Sequence, residues 1–203
     1  MPRRKRIAVL ISGRGSNLGA LLRQELAGDI VLVGSNRAEA GGLTIAADAG
    51  IATFTLSHRD FATREAFDAA LVARLNEAAV DLVVLAGFMR ILTPVFTEAF
   101  AGRLINIHPS LLPAFPGLDT HARALAEGVK LHGCTVHFVT PELDRGPIIA
   151  QAAVQVEDDD TPETLAARVL VQEHQILPWA VRLFCEDRLR IEGLRVRVLP
   201  AAV

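Results

Sequence analysis

Asn106 and His108 stand two residues apart in the stretch Arg103–Pro113, RLINIHPSLLP, at the end of an apolar run that reads as a buried strand. Residues two apart on a strand project to one face, so amide and imidazole address the same space. Pro109 and Pro113 stop the ladder and turn the chain away, opening a crevice beyond the strand end. The competing reading is a satisfied core histidine. Asp144, in the turn PELDRG, would favour the charged imidazole and fix its orientation if it reached His108. The competing reading of Asp144 is an ordinary turn residue. An amide, an imidazole and a carboxylate around one point suit acyl transfer, in which Asn106 and a protonated His108 donate to the oxyanion of an attacked carbonyl. One such donor is worth about 2.7–4 kcal/mol of barrier.

A second constellation comes after the first apolar run. ISGRGSNL places Gly13, Gly15, Ser16 and Asn17 between a strand and a helix. Glycines let backbone approach an anion, and a helix start presents free N–H groups. A dinucleotide fingerprint is excluded, because Leu18 holds the third glycine position and no acid ends the second strand. A P-loop is excluded too, for lack of Gly-Lys-Ser/Thr. What remains is a site for one phosphate, or a plain strand-to-helix turn with Ser16 or Asn17 as cap.

Other polar groups fit known chemistries less well. His132, Cys134 and His137 lack zinc spacing, since His132 and Cys134 share a strand face and His137 points away. No metal is expected. Ser110 is not on a nucleophile elbow. Glu157–Asp160 crowds acids without calcium-loop spacing and reads as a solvated helix lead-in.

The elements that must position these residues alternate. Ile7–Ser12, Ile30–Ser35, Ile51–Leu56 and Asp81–Gly87 are β-rich and continuous, as strands covered on both faces are. Helical spacing runs over Asn17–Ala27, Ala38–Ala49 and Arg64–Ala79, the last with Phe67, Leu71 and Leu75 on one stripe. This βαβαβ rhythm predicts an α/β fold, a doubly wound open sheet that is mainly parallel. Leu104–Ile107 is the next central strand. Lys130–Thr140 and Pro147–Val156 are expected as antiparallel edge strands, succeeded by a helix capped by Asp160 or Thr161 and running to about Cys185. Arg188–Leu199 reads as a small hairpin.

The 203 residues, half of them hydrophobic, suit a single domain spanning 1–203. A net charge of -2 gives no reason to expect nucleic acid. The basic run Arg3–Arg6 reads as a solvated lead-in to the first strand. Two cysteines suit a reducing, cytoplasmic setting. Apolar runs are strand-sized, so no membrane partner is expected, and Ile7–Ile11 is too short for a signal peptide.

Five stretches together resemble the phosphoribosylglycinamide formyltransferases: SGRGSNL, VVLAGFMRIL, NIHPSLLPAFPGLDTH, HFVTPELDRGPII and VQEH, from Ile7 to at least Phe184. The resemblance implies the formyltransferase fold and transfer of a formyl group from the co-substrate 10-formyltetrahydrofolate to the amine of 5-phosphoribosylglycinamide, in purine biosynthesis. It implies small-molecule substrates and a monomer or homodimer. Residues 1–100 would form the phosphate-binding half, and residues 101–203 the catalytic and folate-binding half. Asn106, His108 and Asp144 would be the catalytic trio. Gly15, Ser16, Asn17 and Glu173 would bind the phosphoribosyl substrate. Arg64, Met89, Arg90, Ile91, Leu92 and Asn106 would line the folate pocket, with Thr140, Pro141, Glu142, Leu143 and Asp144 closing over the pterin.

Two positions depart from the family pattern: Asp119, where histidine is frequent, and Arg145, where a second glycine often succeeds the acid. The rival activities are hydrolysis of 10-formyltetrahydrofolate and transfer to methionyl-tRNA. The first usually comes with an N-terminal regulatory domain, whereas six residues precede the first strand here; the second comes with a larger C-terminal domain and a basic surface. A non-catalytic nucleotide-binding module is the alternative from another class.

Overall fold

The computed structural model describes residues 3–201. One nine-stranded sheet, in the order β3-β2-β1-β4-β5-β6-β7-β9-β8, carries helices on both faces. Strands β1 (Lys5–Ile11), β2 (Gly28–Ser35), β3 (Ala52–Thr55), β4 (Leu82–Leu85) and β5 (Leu104–His108) run parallel. Alternation along β1 divides the core. Ile7, Val9 and Ile11 join one apolar cluster with Leu18, Leu21, Val169 and Leu177, while Ala8 and Leu10 join another with Phe67, Leu71 and Phe96. Helices α1 (Ser16–Leu22), α2 (Gly41–Asp48) and α6 (Pro162–Cys185) supply the first face, and α3 (Arg64–Glu77) and α4 (Pro94–Ala99) the second. That two-sided burial is why the strands read as unbroken hydrophobic runs.

The doubly wound expectation holds, and the predicted stripe of α3 is buried as Phe67, Leu71 and Leu75. Three expectations need correction. The first helix ends at Leu22, not Ala27: the chain turns at Ala27, with φ 56°, whose N–H donates to the Glu25 carboxylate at 2.9 Å. The third strand is not covered on both faces; it is the sheet's outer strand and mostly exposed. The antiparallel pair β6 (Leu131–Phe138) and β7 (Ile148–Gln155) is not at the edge, because the C-terminal hairpin β8 (Leu189–Glu192) and β9 (Arg195–Val198) extends the sheet through Ile148↔Arg195. The short α4 and α5 (Thr120–Ala126) have too few turns to show a period in the sequence. Thr161, not Asp160, caps α6, in a reciprocal capping box with Thr164.

The basic lead-in is anchored rather than simply solvated: Arg3 pairs with Asp81, Arg4 with Glu25 and Asp29, and Lys5 with Asp187. No helix among the described residues is long and apolar enough to cross a membrane.

Two features of the topology gather the polar residues at one end of the sheet. The order reverses between β1 and β4, so the carboxyl ends of these strands flank a crevice. β5 then pairs antiparallel with β6, which brings Asn106 opposite His137 and His108 opposite Thr135.

The glycine turn after β1 rests directly on the start of α2. Gly15 has φ +78°, and a Cβ added there would lie 2.5 Å from the Gly42 Cα. A Cβ on Gly42 would strike the Ile11 side chain and come within 3.0 Å of the Gly15 Cα. Gly42→Ala is therefore expected to lower stability by about 1–3 kcal/mol in a urea titration. Gly41→Ala, whose added carbon meets only Arg14 atoms at 3.7 Å or more, is expected to be near neutral; equal losses in the two variants would contradict this packing.

Candidate active site

Asn106 is held from both sides, paired with Leu85 of β4 and His137 of β6. His137 Nδ1 lies 2.9 Å from the Phe138 carbonyl, and its Nε2 lies 3.2 Å from the Asn106 amide nitrogen. A carbonyl oxygen can only accept, so Nδ1 carries the proton, and bare Nε2 accepts from Asn106. Burial, the largest cause, keeps the His137 pKa below the ordinary value and its ring neutral. Asn106 thus has one amide hydrogen committed to His137 and a second available to the crevice.

The same logic fixes His108, whose side chain is almost wholly buried. Its Nε2–H donates to the Phe115 carbonyl at 2.9 Å. That leaves Nδ1 as the nitrogen facing the Asp144 carboxylate, 3.5 Å away. Asp144 is itself held: its Oδ2 accepts from the Gly117 N–H at 2.8 Å, and its Oδ1 lies 3.9 Å from His137 Nε2. Only 8% of the carboxylate side chain is exposed. Asp144 adopts φ 52°, a left-handed conformation that aspartate tolerates better than most residues. Two residues on, Gly146 passes so close to the Phe138 carbonyl that any Cβ would collide with it. The turn is thereby clamped against the end of β6. The trio expected from sequence does converge, and Phe115, Gly117 and His137 join it.

Across the crevice, Asn17 and Glu173 meet, although 156 residues separate them. Asn17 Nδ2 donates to Glu173 Oε2 at 2.7 Å, and both side chains are buried. The Asn17 amide oxygen is buried with no partner within the protein, so this polar acceptor is left for a donor in the crevice. Burial raises the Glu173 pKa, against the opposing influence of Asn17 and His108. Gly15 is buried and Ser16 half-buried beside them.

The remaining expected residues lie at the start of α3, in the segment after β4 and in the turn that carries Asp144. The Met89 N–H donates to Ser12 Oγ at 2.8 Å, which ties the segment after β4 to the glycine turn. Arg64 donates to the Ile91 carbonyl at 2.6 Å. Leu92 is buried, but Met89 and Ile91 are 61% and 59% exposed. Leu143 on the facing turn is 51% exposed. Exposed apolar side chains on the segment after β4 and on the Asp144 turn suit a flat, largely apolar ligand. Thr140 and Pro141 line a cavity of about 290 Å³ with Thr97, Ala101 and Gly102, ahead of β5, and with Ile191 of β8. A second cavity, of about 310 Å³, lies by Gln24, His174 and Trp179 and touches none of the trio. Neither cavity is lined by Asn106, His108 or Asp144.

The two departures from the family pattern are both exposed. Asp119 occupies the N-cap position of α5 without a side-chain capping bond, and Arg145 sits on the outer side of the turn. His121 and His132, which carry no expected role, form an edge-on pair with 3.2 Å between ring nitrogens. Burial leads in pushing the His132 pKa down to about 4. Among the described residues no group of three or more His, Cys, Asp or Glu side chains could hold a metal.

A carboxyl whose folded pKa is raised loses stability as pH climbs above its unfolded value, because ionising it in place is costly. Glu173→Gln keeps an acceptor for Asn17 and removes that cost. The variant is expected to melt at a higher temperature than the parent at pH 8 and to lose the advantage near pH 4, by calorimetry. An equal shift at both pH values would contradict the assignment of a strained, buried acid.

Comparisons with known proteins agree with this geometry. A family model described as formyl transferase matches residues 5–181. The phosphoribosylglycinamide formyltransferase of Escherichia coli is 51% identical over 91% of this chain and 89% of its own length. The trifunctional purine biosynthetic protein adenosine-3 of Drosophila melanogaster is 50% identical, and there the chain spans 14% of that longer protein. The crystal structure of glycinamide ribonucleotide transformylase 1 from Symbiobacterium toebii superposes with a TM-score of 0.95 at 52% identity, covering 97% of this chain and 95% of that one. The fold, the site and these likenesses converge: the chain belongs to the formyl transferase family.

Proposed function

We propose that this chain is a phosphoribosylglycinamide formyltransferase, moving the formyl group of 10-formyltetrahydrofolate to the amine of 5-phosphoribosylglycinamide in purine biosynthesis. The observation that carries the reading is the buried Asp144 carboxylate set against His108 Nδ1, with the Asn106 amide held beside it by His137. The likeness to relatives named for this activity supports the choice of substrates.

The neutral amine attacks the formyl carbon, forming a C–N bond while the carbonyl oxygen takes the negative charge. The free amide hydrogen of Asn106 donates to that oxyanion. His108 donates from Nδ1, because Nε2–H is committed to Phe115. Asp144 supports the charged ring and, through water, accepts a proton from the attacking nitrogen. The oxyanion then re-forms the carbonyl as the C–N10 bond breaks, and the proton taken by Asp144 passes through water to N10, which leaves as tetrahydrofolate. Gly15, Ser16 and Asn17 hold the substrate phosphate, and Glu173 accepts from ribose hydroxyls. Arg64, Met89, Arg90, Ile91 and Leu92 receive the folate, and Thr140–Asp144 cover its pterin. Residues 1–100 supply the phosphate turn and residues 101–203 the trio, within one domain. Binding both substrates across one crevice turns a bimolecular encounter into a positioned one.

The test supplies both substrates and tracks the formyl group. Parent enzyme is expected to give formylated glycinamide ribonucleotide, with no formate when the amine is withheld. Asn106→Ala is expected to lower kcat by about 10²–10³-fold, the loss of one oxyanion donor. Amine-independent formate release would favour the hydrolase. Turnover by Asn106→Ala within a few-fold of the parent would remove that residue from the mechanism.

A further inference from the structure

The loop between β5 and α5 supplies two of the contacts that aim the trio: the Phe115 carbonyl accepts from His108 Nε2, and the Gly117 N–H donates to Asp144. That loop is held by side chains from the neighbouring strands. His108, Thr135 and Gln151 are opposed in one row across β5, β6 and β7, and directly opposed residues share a face. Thr135 is wholly buried, and its Oγ1 donates to the Ser110 carbonyl at 2.7 Å. With its one proton committed, the hydroxyl accepts from the Leu112 N–H at 3.0 Å and from Gln151 Nε2 at 3.0 Å, which fills its capacity. Gln151 Nε2 also donates to the Leu112 carbonyl at 2.8 Å. A carbonyl can only accept, so the Gln151 amide is oriented with its nitrogen toward the loop and both of its hydrogens engaged. Leu112 is thus gripped at its N–H and at its carbonyl. Within the loop, Ser110 Oγ donates to the Ala114 carbonyl at 2.6 Å, and the Ala114 N–H donates to the Leu111 carbonyl at 3.0 Å. These bonds make Ser110–Ala114 one stiff turn that leads directly into Phe115.

We propose that Gln151 is a positioning residue for the formyl transfer, acting through Leu112 and Thr135 to fix where the Phe115 carbonyl stands against His108. Gln151 is exposed, and its strand lies two positions from β5, roughly 10 Å away. Its importance comes from a competition at the imidazole. A neutral ring has one proton and two flanking acceptors: the Phe115 carbonyl, 2.9 Å from Nε2, and the Asp144 carboxylate, 3.5 Å from Nδ1. An ionised acceptor makes the stronger hydrogen bond at equal distance. The carbonyl therefore keeps its proton only while the loop holds it close. Release of the loop lets the neutral ring turn its proton to Asp144, frees the ring to rotate, and draws the Gly117 N–H away from the acid. The group that donates to the oxyanion is then misaimed, although both substrates still have their binding surfaces. This inference rests on the proposed transfer reaction and its trio.

Steady-state kinetics and ring-nitrogen NMR test it on the parent, Gln151→Glu and Gln151→Lys. Gln151→Glu keeps the length and volume of the side chain but sets an acceptor against the Leu112 carbonyl and Thr135 Oγ1. It is expected to lower kcat by about 10–100-fold, as a misplacement of about 1 Å does, with either KM little changed. Gln151→Lys returns donors to both oxygens and is expected to turn over faster than Gln151→Glu. In alkaline buffer, the nitrogen chemical shifts of His108 are expected to place the proton on Nε2 in the parent and to reveal an Nδ1–H population in Gln151→Glu. A loss of global stability alone would leave the tautomer of the folded molecules unmoved. Equal kcat in the parent and Gln151→Glu, a loss confined to KM, a glutamate variant as fast as the lysine one, or an unchanged His108 tautomer would overturn the proposal. Failure of the underlying reading is distinct: the parent transfers no formyl group, while its His108 tautomer still responds to Gln151→Glu.

Discussion

A carboxylate that is only 8% exposed, 3.5 Å from one imidazole and 3.9 Å from another, is the constraint around which this molecule is arranged. Burying a charge is costly unless it is compensated. Asp144 is compensated by the Gly117 N–H and by its position against His108, and those contacts bring the Asp144 turn onto the end of β5 and the loop just after it. Gly117 lies in the loop after β5, His108 at the end of β5, and Asp144 in the turn between β6 and β7. The antiparallel step from β5 to β6 sets His137 opposite Asn106 and ends with Phe138 opposite Ile105, and from there the turn carrying Asp144 reaches back to His108.

The same step explains why two histidines of different character flank one acid. His137 keeps its Nδ1 proton on the Phe138 carbonyl and uses bare Nε2 to hold Asn106. His108 is locked the other way round, with Nε2–H on the Phe115 carbonyl, and turns Nδ1 toward the acid. Backbone carbonyls, which can only accept, thus fix a proton on His137 Nδ1 and on His108 Nε2 before any ligand arrives. The Asn17–Glu173 contact and the Ser12–Met89 contact extend this preorganisation to the glycine turn and the segment after β4. The site is a set of side chains aimed by secondary structure, and its accuracy derives from sheet register.

Much of this is legible in the residues. Unalternating aliphatic runs mark β1, β2 and β4 because both faces of those strands are covered. The two-residue spacing of Asn106 and His108, with prolines next, marks a strand end facing a crevice. Asp144 is a candidate only by its place in a turn; its contact with His108 depends on register, which no local pattern encodes. His137 points away from His132 and Cys134, as strand alternation predicts, but its partners Asn106 and Asp144 are hidden for the same reason. Phe115 and Gly117 act through backbone atoms, which side-chain identity does not reveal. Glu173 comes from resemblance alone, since a helical glutamate carries no local sign that it faces inward. The expected edge pair β6–β7 fails because the joining of a remote hairpin to a sheet is a tertiary event. The short α4 and α5 are too brief to display a period.

The coupling between His108 and Asp144 is the account's central claim, and a double-mutant cycle on kcat measures it most directly. His108→Ala, Asp144→Asn and the double variant are compared with the parent in the formyl-transfer assay. Two groups working as one unit predict that the double variant is about as slow as the slower single variant, a coupling of roughly 1.5–3 kcal/mol. Penalties that simply multiply, leaving no coupling beyond about 0.5 kcal/mol, would show that the acid and the imidazole act independently and would contradict the account.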